Sequence, residues 1–163
     1  RWVLKSPHHL EFLPVINKLF DKVQFIWTHR DISESLPSFL SMVAHSQSIF
    51  SNGVTAERVA KHWVRKTAFM LSNGIAFRKA NNDLNFVDVF YQKLVDAPME
   101  ALSDIYKERG PVSTELAQRF METEVKNTKN KYGAHAYRLG DFGLTRQEID
   151  EKMGFYLEFL KTL

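Results

Sequence analysis

Apolar residues recur along the chain in two rhythms. From residue 8 to 20, Leu10, Leu13, Ile16, Leu19 and Phe20 fall at helical spacing, with Pro14 marking a kink or restart. A longer helix is predicted from Thr55 to about Ala80, with Val59, Trp63, Met70 and Leu71 facing inward and Lys61, Arg65 and Lys66 outward. Ser38 to Phe50 predicts another, Pro37 being tolerated near its start and Ser51-Asn52-Gly53 closing it. A fourth runs from Pro98 to Arg109 and ends at Gly110-Pro111. Between these lie short runs crowded with β-branched and aromatic residues: residues 1–5, "VQFIWT" at 23–28, which has the bias of a buried strand, and "FVDVFY" at 86–91. Strands separated by helices imply parallel pairing through crossovers, so the predicted class is α/β, a parallel sheet flanked by helices.

Composition narrows the reading. A chain of 163 residues with 44% apolar content can bury one sizeable core, so one domain is expected over 1–163. No run approaches the roughly 18 apolar residues of a membrane-spanning helix. The absence of cysteine removes disulfides, zinc thiolates and thiol chemistry together, and suits a reducing, cytoplasmic compartment. The net charge of +3 is a small difference between 22 basic and 19 acidic residues, too slight to point to nucleic acid or membrane. The chain opens on Arg1-Trp2-Val3-Leu4 without an initiator Met, and is read as a piece whose amino-terminal part is missing.

Two tripeptides invite comparison with protein kinases: His29-Arg30-Asp31 and Asp141-Phe142-Gly143. A kinase catalytic loop needs a metal-binding Asn five residues after its Asp, and Leu36 stands there. The kinase reading is therefore excluded. Asp141-Phe142-Gly143 instead approaches a helix start, because Thr145 with Glu148 forms a capping box and Leu144 with Ile149 a hydrophobic staple.

The ligand site of an α/β sheet is expected at the carboxyl ends of its strands. There the sequence places Lys5, Ser6, His8 and His9 after the first run, and His29, Arg30, Ser33, Ser35 and Ser38 after the second. A cationic cluster beside a helix start suits an anion, with an arginine fork and a first-turn serine clamping a phosphate. Equally open is the plainer reading that Arg30 pairs with Asp31 and the serines cap a helix. His29, alternating with Arg30, is either a weaker base candidate or a side chain packed into the sheet.

Four blocks, "RWVLKSPHHLEFLP", "VQFIWTHRDISESLPSF", "FVDVFYQKLVDAPMEALSDIY" and "HAYRLGDFGLTRQEIDEKMGFYLEF", resemble in this order the later blocks of the PAPS-dependent sulfotransferases. The nearest branch carries LKSPxHL, THRDP and HxYSxxxFGLT elements. The resemblance implies a P-loop nucleotide-fold-like domain that moves a sulfuryl group from 3′-phosphoadenosine 5′-phosphosulfate (PAPS) to a hydroxyl or amine of a small-molecule or glycan-type acceptor. It implies no metal. Arg30 and Ser38, eight apart, match the pair that holds the 3′-phosphate, and Tyr91 matches a tyrosine near the nucleotide, although it reads equally as a half-buried strand aromatic. Lys5 matches the lysine that neutralises charge on the leaving phosphate. His9 is the first candidate for the general base or acceptor-positioning group, and His8 the second.

The sequence also departs from that pattern. Ile32 stands where the family has Pro, and Arg138 and Gly140 replace a Ser and an acidic residue. The basic positions Lys126, Lys129, Lys131, His135 and Arg138 are read as a solvated face in preference to a phosphate-closing loop. The strand, phosphate loop and helix that open a sulfotransferase are not in these residues; "SNGIAF" at 72–77 is read as a turn without the phosphate-loop arrangement of Lys and hydroxyl. The chain is thus expected to be the carboxyl-terminal portion of such a domain and inactive by itself. A non-catalytic nucleotide-binding or interaction module of the same fold is the alternative, with a P-loop nucleotide kinase more distant.

Overall fold

The computed structural model describes residues 2–127 and 137–163, which fall into two compact units. One comprises Arg1–Gln24, Asp31–Asn85 and Tyr137–Leu163, and the other Phe25–Arg30 and Phe86–Ala136.

The first unit is helical. Its longest element is α3, Ala56–Ala80, whose Thr55 cap accepts the Arg58 N–H at 3.2 Å and whose last turn carries Arg78 and Lys79 at the negative end of the helix dipole. The helix runs unbroken through "SNGIAF", correcting the turn expected there. A single glycine costs a helix about 1 kcal/mol, which burial on both sides of Gly74 readily offsets. Lys66 also departs from expectation: it is half-buried and its Nζ lies 2.5 Å from Glu11.

Residues 2–6 form no strand, again against expectation, and Trp2, Val3 and Leu4 are exposed. Apolar content alone does not make a strand, which needs a neighbouring backbone, and the sheet of the described residues contains two other strands. The 8–20 stretch resolves into a 3-10 helix, Pro7–Glu11, and α1, Leu13–Leu19, with Pro14 at the restart where a missing N–H costs nothing.

Helix α2 spans Ile32–Ser48 and starts six residues before the expected Ser38, with Pro37 inside it. The start is set by Asp31. Its Oδ1 accepts the Ser33 N–H at 2.8 Å and the Ser33 hydroxyl at 2.7 Å, while Ser35 Oγ donates to the Asp31 carbonyl. Arg146, the first residue of α7 (Arg146–Leu160), reaches the same point: its Nη1 donates to Ser33 Oγ at 2.5 Å and lies 3.3 Å from Asp31 Oδ2. Burial works to raise the Asp31 pKa, but hydrogen bonds from Ser33 and the Arg146 guanidinium outweigh it and hold the carboxyl below its ordinary value.

The DFG tripeptide is structural at all three positions. Asp141 Oδ2 accepts the Arg138 N–H at 2.9 Å and closes a 3-10 helix, Leu139–Phe142; Phe142 is buried; Gly143 takes the left-handed region at φ 65°, where a side chain is disfavoured. The expected capping box follows, with Thr145 N–H donating to Glu148 Oε2 at 2.8 Å and Glu148 N–H to Thr145 Oγ1 at 3.2 Å. Ile149, at the fourth helical position, is fully buried with Met153, Tyr156 and Phe159 behind it. Helices α1, α2 and α7 and the first 3-10 helix all pack on α3.

The second unit is built on two paired parallel strands, β1 (Gln24–His29) and β2 (Asn85–Phe90). "VQFIWT" is not buried on both faces. Trp27 and His29 point inward while Ile26 and Thr28 are exposed, the period-two alternation of a one-sided strand. Stacked rings of Phe25 and Phe86, centroids 4.8 Å apart, join the strands across that face. Helix α4 (Tyr91–Asp96) follows β2 at once, then α5 (Pro98–Tyr106), whose chain is tied back by a 2.6 Å ion pair of Lys93 with Asp104. Gly110, at φ 98°, breaks the chain before α6 (Thr114–Lys126), a helix the sequence reading omitted although Ser113 caps it. Of the basic stretch, Lys129, Lys131 and His135 lie outside the described residues. Among the described residues no helix is long and apolar enough to cross a membrane.

Two tests follow from this packing. Leu40 is fully buried and Met42, two residues on in α2, is 58% exposed. Leu40→Ala should lower unfolding free energy by about 2–5 kcal/mol and Met42→Ala by no more than about 0.5, measured by urea denaturation. Equal effects would contradict the packing of α2. Asp31→Asn keeps the cap acceptor but removes the charge. Because folding holds the Asp31 pKa below 3.8, the charge stabilises the fold above that pH and its contribution is lost as pH falls through the lower folded value. The stability gap between protein and variant should be constant from about pH 5 to 7 and close below about 3.8; a gap that widens on acidification would refute this.

Candidate functional site

The strand pair ends in a small group of polar and aromatic side chains. Alternation along β1 turns His29 to the buried face, where its ring lies 5.4 Å from Trp27 and 5.3 Å from Phe90. Its Nε2 donates to Asp88 Oδ1 of β2 at 2.8 Å. The His29 side chain is fully buried and that of Asp88 is half-buried, so the imidazole is closed to an acceptor molecule and serves the sheet. Arg30, one residue on, is exposed, and its guanidinium carbon sits 4.3 Å from the centroid of the half-buried Tyr91 ring, a cation–π contact. Sixty residues of sequence separate these two partners, and the paired strands bring them together. Asp88 was missed by sequence reasoning. Its signal was one carboxylate in the apolar run "FVDVFY", opposite one imidazole in "FIWTH".

In the helical unit the candidates cluster differently. Lys5 is exposed on the segment leading into the 3-10 helix, so it does not end a strand. Ser6 caps that helix by accepting the His8 N–H at 3.3 Å, and the His9 N–H donates to the Ser6 carbonyl at 3.2 Å. The exposed His8 ring meets Trp63 edge-on, centroids 5.8 Å apart, and Phe39 meets the same indole at 5.1 Å. Trp63 therefore gathers the histidine turn and α2 onto α3. Ser38, next to Phe39, is exposed; His9 is half-buried.

This corrects the expected helix-start anion site. With α2 beginning at Ile32, Ser38 is in the second turn and away from the free amides of the first. Of those amides, the Ser33 N–H is taken by the Asp31 carboxylate, and Asp31 takes Arg146 as its cationic partner. The plainer reading is corrected as well: the cap is Asp31, and the Ser33 and Ser35 hydroxyls lie inside α2 and donate to it. Among the described residues no three His, Asp or Glu side chains gather as metal ligands.

Comparison with known proteins bears on the family and the fold. The sequence profile described as the Sulfotransferase family matches residues 1–111, a span that includes Lys5, His8, His9, Arg30, Ser38 and Tyr91. The chain superposes on the crystal structure of the sulfotransferase STF9 from Mycobacterium avium with a TM-score of 0.82 at 21% identity. That alignment covers 97% of this chain and 41% of STF9, so the chain spans less than half the length of that protein. No curated protein sequence matches it. With a family match over two-thirds of its residues and the fold of a solved sulfotransferase, this chain belongs to the sulfotransferase family.

Proposed function

We propose that the chain supplies the 3′-phosphate side of the donor site in an enzyme that moves a sulfuryl group from PAPS to a hydroxyl or amine acceptor. The observation that carries this is the stacking of Arg30 on Tyr91 at 4.3 Å. Two sequence blocks far apart named these residues as nucleotide contacts, and they meet at the carboxyl ends of paired strands, where such folds bind ligands. An exposed guanidinium laid on a ring is held in one plane, which suits bidentate recognition of a phosphate. The resemblance gives Ser38 the second contact to that phosphate.

The chemistry is an in-line transfer. The acceptor oxygen or nitrogen forms a bond to sulfur while the bond from sulfur to the 5′-phosphate oxygen breaks, and that oxygen keeps the electron pair as adenosine 3′,5′-bisphosphate leaves. The acceptor's proton passes to an imidazole, His9 first and His8 second, since a neutral ring accepts a proton near physiological pH. The Lys5 ammonium offsets charge growing on the leaving oxygen, a contribution made mainly in the transition state.

Arg30→Ala should weaken binding of adenosine 3′,5′-bisphosphate by one to two decades, about 1.5–3 kcal/mol, and leave adenosine 5′-phosphate almost unaffected. Calorimetric titration of the intact protein tests this, and equal losses for both nucleotides would remove Arg30 from the 3′-phosphate. Transfer of labelled sulfur measures the second part. Lys5→Ala should lower kcat more than nucleotide affinity, and His9→Ala should abolish the acidic limb of the pH–rate profile. Nucleotide binding without any transfer would favour the non-catalytic module.

A further inference from the structure

The inward face of the strand pair is apolar except at one place. Phe25 and Phe86 stack, Trp27 lies beside them, and then His29 and Asp88 meet through a 2.8 Å hydrogen bond beside Phe90. If filling space were the only requirement, two apolar side chains would do it at lower desolvation cost. A buried hydrogen bond supplies direction, which apolar contacts lack. It matters here because the sheet among the described residues pairs two strands, and a ladder that short is marginal by itself. A slip of one residue would turn Asp88 to the opposite face and break its bond to His29.

The bond also sits close to the groups it would control. Arg30 is the residue after His29, and Tyr91 is three beyond Asp88 and opens α4. A shift of either strand end passes through one to three rigid peptide units before it reaches the stacked pair.

We infer that His29 and Asp88 are positioning residues of the nucleotide site: their cross-strand hydrogen bond locks the register at the strand ends and thereby sets Arg30 against Tyr91 in the geometry that receives the 3′-phosphate. The inference rests on the reading of Arg30 as a ligand of that phosphate. Neither residue touches the nucleotide. Their effect is confined to the phosphate that Arg30 contacts.

Two substitutions at one position separate this role from packing. His29→Phe keeps a ring between Trp27 and Phe90 but cannot donate to Asp88, whereas His29→Gln gives up the ring and keeps a donor. In the intact protein, His29→Phe should weaken adenosine 3′,5′-bisphosphate by about tenfold and adenosine 5′-phosphate by less than about twofold, with His29→Gln within about threefold of the parent for both. If Gln loses as much as Phe, or if Phe weakens both nucleotides equally, the side chain is packing and the inference is overturned. Should His29→Phe fail to fold, Asp88→Asn takes its place, with a selective loss of about threefold expected and an unselective result again overturning it. Arg30→Ala, run in parallel, tells the two levels apart. A selective loss there with none in the His29 series sinks the positioning role alone, and no selectivity in Arg30→Ala sinks the site reading and the inference together.

Discussion

Burial along one helix is the constraint on which the helical unit depends. The 25 residues of α3 give up their apolar face to α1, α2, α7 and the histidine-bearing 3-10 helix. Trp63 shows how the same surface serves chemistry. A large half-buried ring makes edge contacts with His8 on one element and Phe39 on another, so candidate groups far apart in sequence take fixed places on one helix without hydrogen bonds to each other. The half-buried ion pair of Lys66 with Glu11 ties the 3-10 helix to α3 a turn further along.

What was legible in the sequence had local causes. The long helix could be read nearly to its ends because 25 residues repeat one period and Thr55 marks the start. The capping box at Thr145 is a relation between neighbours and could be read outright. The start of α2 was misplaced because two local signals compete there. Pro37 suits a first turn, but Asp31 with Ser33 makes a cap six residues earlier, and the helix continues through the proline. Residues 1–5 show the opposite failure. Their composition fits a strand, yet pairing is a property of two segments and cannot be read from one.

The candidate site divides the same way. Arg30, Ser38 and Tyr91 could be named from the resemblance of whole blocks, while the contact between Arg30 and Tyr91 needed the strands to be paired. Asp88 was invisible because its partner lies 59 residues away, and a lone carboxylate in an apolar strand carries no label saying which histidine it will meet. The kinase-like tripeptides teach the reverse. Asp141, Phe142 and Gly143 each have a local reason to be what they are: an acceptor for a turn, a core ring and a left-handed residue.

Helix α2 carries its own anion. A helix start whose amides wait for a phosphate is ordered by the ligand, and part of the binding free energy is then spent on that ordering. Here the Asp31 carboxylate already caps the first turn at the Ser33 amide, with the Ser33 hydroxyl and Arg146 completing the arrangement. The helix is finished before any nucleotide arrives. Little of the free energy of binding then goes into forming this turn, although any ligand held by the folded chain alone still adds to its stability by mass action.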